Sequence, residues 1–132
     1  MPRAAPAAAP VPSPDRLGRT ALEAFFNICA DWGLSAEQER TLLGGPPRST
    51  FFKWKKERGG VLGRDVLERV SYLLGIYKAL HILLPSNEAA RAWVSKPNAA
   101  PLFNGRSALE HMLGGNVVDL ADVRRYLDAQ RG

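Results

Sequence analysis

The sequence contains very few of the residues on which metal centres and many enzyme active sites depend. Its 132 residues include one cysteine and two histidines. Cys29 alone excludes an internal disulfide and a zinc site built from several thiolates. His81 and His111 are thirty residues apart, and neither has a second ligand at helical spacing. We therefore expect no metal site, and we expect Cys29, on the apolar face of a predicted helix, to be buried and unreactive.

The chain also has no long apolar run. Nothing approaches the ~18 consecutive apolar residues of a membrane span, and the first residues lack the ~7–15 apolar residues of a secretory signal. Five of the ten prolines lie within the first fourteen residues, where they interrupt any helix. We expect residues 1–15 to be a disordered tail, and we expect a soluble, cytoplasmic protein with no membrane partner.

Residues that could pair a nucleophile with a base are also missing. Glu110, Asp119 and Asp122 each have a structural role at a predicted helix start, with Asp119 expected as the N-cap of the last helix. The glycine pairs at 44–45 and 114–115 lack the Lys and Ser/Thr of a phosphate-binding loop. We expect no catalytic residues and no cofactor, and an enzyme that uses the loop 97–105 is the least favoured hypothesis.

Positive charge is present in excess, and it is concentrated in one segment. The chain has 18 Lys and Arg against 13 Asp and Glu, a net charge of +5. Residues 46–64 contain six basic residues and one acidic residue, so this segment alone accounts for the net charge. A local basic patch of this kind is typical of proteins that contact the phosphates of a nucleic acid.

Apolar spacing and capping signals predict a helix-turn-helix in residues 16–64. Arg16–Trp32 has apolar residues at helical spacing, and Ser35 opens a capping box for a second helix. The run PPRSTFFKWKKE reads as a third helix, whose first residues would reach base edges while neighbouring cations meet phosphates. The predicted DNA-binding residues are Arg48, Ser49, Thr50 and Lys53 at base edges, with Lys55, Lys56 and Arg58 on phosphates.

A long apolar helix is predicted over residues 65–84. Its apolar face is too wide for three short helices to cover, so we expect it to connect to a second domain or a second subunit. Because a helix-turn-helix that reads a palindrome needs a twofold partner, we expect a homodimer with Leu73, Tyr77 and Leu80 at its interface. Gly75 within this helix indicates a close helix crossing.

The remaining residues, 85–132, predict a small helical domain. A short helix in SNEAARAWV is followed by the Pro-containing connection KPNAAPLFNG and by two further helices, the first opened by a capping box of Ser107 and Glu110. No strand signal competes with these patterns. The sequence therefore predicts an all-α fold of about seven helices, with a helix-turn-helix domain, a long helix and a small C-terminal domain.

Four segments together resemble one protein family. LLGGPPRSTFFKWKK resembles the helix-turn-helix of Xre-like antitoxins, although Pro47 stands where relatives often carry a capping Ser. ERVSYLLGIYKALHILLP, AWVSKPNAAPLFNGRSALEHMLGG and VRRYLDAQRG are similar to the MbcA/ParS/Xre antitoxins. The resemblance implies a type II antitoxin that represses its own operon as a dimer. It also implies that residues 85–132 bind an NAD-consuming toxin of the RES type and cover its active-site cleft.

Within that domain, the loop and the last helix contain the residues that we expect to bind the toxin. They are Lys96, Pro97, Asn98, Phe103, Asn104, Tyr126 and Arg131. Each also has a structural alternative: Phe103 as a core residue, the two asparagines as turn formers, Tyr126 as a packing residue and Arg131 as a solvated terminal charge. The alternative function is a stand-alone helix-turn-helix transcription regulator with a dimerising or ligand-sensing C-terminal domain.

Overall fold

A computed structural model describes residues 11–132, which form an all-α fold, as the sequence predicts. The described residues contain no strand, only one isolated antiparallel bridge between Pro97 and Ser107. No helix in this range is both long and apolar enough to cross a membrane. The seven helices within it are α1 (Pro14–Trp32), α2 (Ala36–Leu42), α3 (Arg48–Glu57), α4 (Arg64–Leu83), α5 (Asn87–Ser95), α6 (Ala108–Met112) and α7 (Val117–Gln130).

Helix α1 begins earlier than the sequence pattern indicates. Ser13 is its N-cap, with the side-chain oxygen accepting a hydrogen bond from the amide of Arg16 at 3.2 Å. Pro14 occupies the first helical position, where its missing N–H costs nothing. The last two residues of the predicted tail are therefore helical. Residues 1–10 lie outside the described residues, so the prediction of disorder there stays a prediction.

Helices α2 and α3 form a helix-turn-helix, and α3 packs on α1. Ser35 and Gln38 form the expected capping box of α2. Helix α3 follows Pro47, which provides no side-chain cap, and begins at Arg48. Phe51 of α3 is fully buried, and its ring meets that of Phe26 edge to face, with 5.9 Å between the centroids. This aromatic contact orients α3 and leaves its opposite face in solvent.

Helix α4 packs against both α1 and α7, so it connects the two halves of the protein. Leu73 and Leu80 are each only 1% exposed, because α1, α5 and α7 of the same chain cover the wide apolar face of α4. They are core residues and offer no surface to a second subunit, which corrects their assignment to a dimer interface. Tyr77 is half-buried and donates a hydrogen bond to Asp31 at 3.1 Å.

The crossing of α4 and α7 occurs at Gly75, as the sequence predicts. Gly75 is buried, and a Cβ there would overlap the guanidinium of Arg124, which lies across it. The start of α7 differs from the prediction. Asn116 is the N-cap, and Asp119, three residues later, accepts from the amide of Asn116 at 3.0 Å. Asp119 is thus the second member of a capping box rather than the cap itself.

Candidate functional site

The exposed face of α3 contains four of the seven predicted DNA-binding residues. Arg48, Ser49, Lys53 and Lys56 are exposed, and Thr50 is half-buried. A guanidinium nitrogen of Arg48 lies 3.0 Å from a carboxylate oxygen of Glu37 on α2, and both side chains are mostly in solvent. Exposed ion pairs of this kind contribute little to stability, so Arg48 can exchange Glu37 for a base or a phosphate.

Lys55 points away from that face. Its Nζ lies 2.6 Å from Oε1 of Glu39 on α2, a carboxylate whose side chain is only 5% exposed. The same ammonium group lies about 6 Å from the ring centroids of Phe26 and Phe51, at 5.9 and 6.0 Å. Lys55 therefore neutralises a buried charge and joins the two helices of the motif. This contact gives Lys55 a structural role in place of the predicted phosphate contact.

Arg58 also turns inward, at the end of α3. Its guanidinium lies 4.7 Å above the ring centroid of Phe26, and its Nε donates to the carbonyl of Lys55 at 2.9 Å. The backbone of Arg58 is left-handed, with φ of 52°, and this conformation terminates the helix. The structure thus assigns Arg58 to the helix end and to cation–π packing, rather than to the exposed cationic face.

Two arginines that the sequence pattern did not single out fix the geometry of the motif. Nη1 of Arg40 donates to the carbonyl of Pro46 at 2.9 Å and holds the turn before α3. Arg69, 8% exposed, donates from Nε to Asp65 and from Nη1 to the carbonyl of Gly115 at 3.0 Å. In the sequence, Arg69 could have been identified because it is a charged residue on the face of α4 where buried residues are expected.

Arg69 also connects the helix-turn-helix with the C-terminal half. Its guanidinium packs over Gly44 in the turn between α2 and α3, where a Cβ would come within 3.0 Å of Nε. Gly115, its acceptor, directly precedes the N-cap of α7. One buried side chain therefore contacts the turn before α3 and the loop before α7.

The loop between α5 and α6 is closed by backbone hydrogen bonds. The amide of Asn98 donates to Arg106 at 3.0 Å, and the amide of Gly105 donates to Asn98 at 2.8 Å. The side chain of Asn98 accepts from the amide of Ala100 at 2.9 Å, and Asn104 has a positive φ of 50°. Both asparagines therefore shape the loop, while Lys96 and Pro97 lie exposed at its base.

Phe103 is a core residue rather than a residue of the binding face. It is 2% exposed, and its ring packs edge to face against Trp93 and Tyr126, with centroids 5.9 and 5.1 Å apart. Tyr126 is half-buried and stacks on Trp93. This aromatic cluster anchors the loop to α5 and α7, so it removes Phe103 from the predicted toxin-binding set. Tyr126 and the exposed Arg131 stay in that set.

Helices α6 and α7 are joined by a polar cluster. Nε2 of His111 lies 3.1 Å from Oδ2 of Asp122, whose other oxygen accepts from Arg125 at 3.1 Å. One possible ligand atom from each of His111, Asp119 and Asp122 lies within 4.8 Å of the others. The two carboxylates already have protein partners, in the capping box of α7 and in these ion pairs. The cluster therefore has a sufficient structural role in positioning α7.

The titration of two further side chains follows from their surroundings. Burial raises the pKa of the Cys29 thiol, and the nearby carboxylate of Glu39 raises it further, so Cys29 is protonated at neutral pH. This agrees with the expectation that Cys29 is buried. A hydrogen bond from the amide of Ser107 lowers the pKa of Glu110, and the guanidinium of Arg106 adds to that effect.

Comparison with known proteins assigns both halves of the chain. Residues 3–75 match the antitoxin Xre-like helix-turn-helix domain, and residues 79–132 match the antitoxin Xre/MbcA/ParS C-terminal toxin-binding domain. The chain is also 56% identical over 111 residues to the uncharacterized protein y4oB of Sinorhizobium fredii, an alignment that covers 84% of each chain. The chain therefore belongs to the Xre/MbcA/ParS antitoxins, which combine a helix-turn-helix with a C-terminal toxin-binding domain.

Proposed function

We propose that this antitoxin neutralises a RES-type, NAD-consuming toxin by covering its active-site cleft, and that it represses its own operon by binding operator DNA. One observation carries the proposal: residues 3–75 match a helix-turn-helix domain of antitoxins, and residues 79–132 match a toxin-binding domain. Because α4 packs against both halves, DNA and toxin would be held by one folded unit.

The DNA-binding half of the proposal rests on the exposed face of α3. Arg48 and Ser49 stand at the N-terminal end of the helix, where recognition helices reach base edges. Lys53 and Lys56 have no carboxylate partner among residues 11–132, so both are free to contact phosphates. Arg48→Ala should cost about 1–3 kcal/mol at one base pair and little elsewhere. Gel-shift titrations with operator and scrambled duplexes measure this difference.

Operator repression also requires two copies of the chain if the operator is palindromic. With Leu73 and Leu80 in the core, we propose a homodimer formed through a surface other than these two side chains. Light scattering at tens of micromolar tests it, and a monomer in the presence and absence of operator DNA would contradict it.

The toxin-binding half of the proposal places the C-terminal end of α7 in the cleft of the toxin. Helix α7 ends at Gln130, and the exposed Arg131 follows it. A guanidinium at an exposed helix end can pair with carboxylates that otherwise hold a charged substrate. We propose that Lys96, Pro97, Asn98 and Asn104 add a second contact from the loop.

The experiment that tests this proposal compares Arg131 with Arg125, an exposed arginine of α7. Each charge is removed at similar side-chain length: Arg131→Gln is the test, and Arg125→Gln, which gives up only an exposed ion pair with Asp122, is the control. Each variant is co-expressed with the toxin gene that neighbours its own, and growth and cellular NAD are measured. We expect Arg131→Gln to lose protection while Arg125→Gln retains it. A neighbouring gene whose product leaves growth and NAD unchanged would instead favour the stand-alone regulator.

A further inference from the structure

An open groove of about 270 Å³, lined mainly by aliphatic and aromatic side chains, lies between the end of α4, helix α5 and the last turns of α7. Leu83 and Leu84 form one wall and the stacked rings of Trp93 and Tyr126 form the other, while Gln130 lies at the rim. It is distinct from the loop contacts already described.

The groove is framed by side chains that other contacts hold in place. Its floor consists of Leu80 and Leu127, which are both buried in the core. The Trp93 and Tyr126 rings are fixed in turn by the edge of Phe103. Rigid, aromatic-lined pockets are where protein interfaces concentrate their binding energy, because a side chain that enters them loses water and meets close contacts on several sides.

The lining of the groove favours a single inserted side chain over a small-molecule ligand. Sites for cofactors and small ligands are typically clefts or cavities of about 300–1,000 Å³ with a few precisely placed polar groups. This groove is open, its volume is close to the lower end of that range, and no charged side chain among residues 11–132 lines it. A side chain of the size of Leu or Phe, delivered by a partner protein, fits this chemistry.

We propose that the toxin inserts one bulky apolar side chain into this groove. All its lining residues lie within residues 79–132, the segment that matches the toxin-binding domain. Gln130 at the rim directly precedes Arg131, so the groove is continuous with the C-terminal contact proposed above. The inference rests on the proposed toxin partner, and it adds an apolar anchor beside the exposed Arg131.

The test uses two groove variants and one control in the full-length chain. Gln130→Trp fills the groove from an exposed position, and Leu84→Glu places a charge on its wall. Ile82→Glu, at a position that is 62% exposed and outside the groove lining, is the matched control. Binding to the purified toxin from the neighbouring gene is measured by calorimetry, and operator binding verifies that each variant is folded.

We expect each groove variant to weaken toxin binding by about 30-fold or more, the range of an interface hot spot. The control should stay within about twofold of the wild type. Near-wild-type binding by Gln130→Trp would overturn the groove proposal while leaving the proposed function intact. Loss of self-association in the groove variants with toxin binding retained would assign the groove to a second copy and overturn it. A wild-type chain that binds no toxin would overturn both.

Discussion

The pair formed by Lys55 and the buried carboxylate of Glu39 allows two adjacent lysines of α3 to be tested against each other. Lys55→Met keeps the aliphatic stem over the phenylalanine rings and removes the charge that neutralises Glu39. Lys56→Met makes the same chemical change at an exposed position. The first should destabilise the fold, and the second should weaken DNA binding without affecting stability.

The magnitude follows from the exposure of the two partners. Removing one member of a fully buried ion pair costs about 3–5 kcal/mol, because the remaining charge is left uncompensated. The Lys55 side chain is 38% exposed, so water can replace part of its contact with Glu39, and we reduce the expected loss to about 1–3 kcal/mol. For a chain of this size that loss lowers Tm by about 4 °C per kcal/mol. Lys56→Met should stay within about 0.5 kcal/mol of the wild type.

Urea unfolding followed by circular dichroism measures the stability, and gel shifts at several salt concentrations measure the DNA contacts. Adding Glu39→Gln to Lys55→Met should recover part of the loss, because the unpaired carboxylate is then removed. Lys56→Met should flatten the dependence of log K on log salt by about 0.9, one phosphate contact, and Lys55→Met should not. Equal midpoints for Lys55→Met and Lys56→Met would refute the structural role of Lys55.

Three further outcomes follow from the buried and capping positions. Cys29 should resist thiol reagents at mildly alkaline pH in the native protein and react once urea unfolds it, since burial raises its pKa; rapid native labelling would contradict this. Gly18→Ala should destabilise by about 1–3 kcal/mol in urea unfolding, because its Cβ would overlap the backbone carbonyl of Gly60, and an unchanged midpoint would exclude that close packing. Because the pKa of Glu110 is lowered in the fold, its carboxylate stabilises the protein above its unfolded pKa. The advantage of wild type over Glu110→Gln should therefore shrink as pH falls through the folded pKa, and a difference independent of pH would contradict the role of that charge.

The helices could be predicted from the sequence because their signals are local. The capping boxes at Ser35 and Ser107 each depend on residues within one turn of the chain. Gly75 marks a close crossing by its own lack of a side chain, although the sequence does not show that Arg124 lies across it. The start of α7 was misplaced because Asn116 and Asp119 are both capping residues, and the pattern does not state which is the cap. The difference of three residues is the spacing within one capping box.

Burial in the loop and coverage of α4 were less predictable, because both depend on residues distant in sequence. Phe103 lies in a stretch of turn residues with no periodicity, so only its contacts with Trp93 and Tyr126 reveal it as core. The sequence shows how wide the apolar face of α4 is, but the width does not identify the helices or the subunit that cover it. Helices α1 and α7 of the same chain cover Leu73 and Leu80, a result that requires the tertiary fold.

Tertiary contacts also divide the cations of the basic segment, residues 46–64, into two groups that the sequence does not distinguish. Arg48, Lys55 and Arg58 each have an intramolecular partner, whereas Lys53, Lys56 and Arg64 have no carboxylate within 4 Å among residues 11–132. If all six cations of this segment contact phosphates, they contribute about −5 per protomer to the slope of log K against log salt. If only the three unpaired cations do so, the contribution is about −3. Each of the six cations is replaced by alanine in turn, and the flattening of the slope of log K against log salt is summed over the six variants. The sum, about 5 or about 3, separates the two cases. A summed flattening near 5 would mean that the paired cations leave their partners on DNA, so that binding would weaken the contacts that hold α2 to α3.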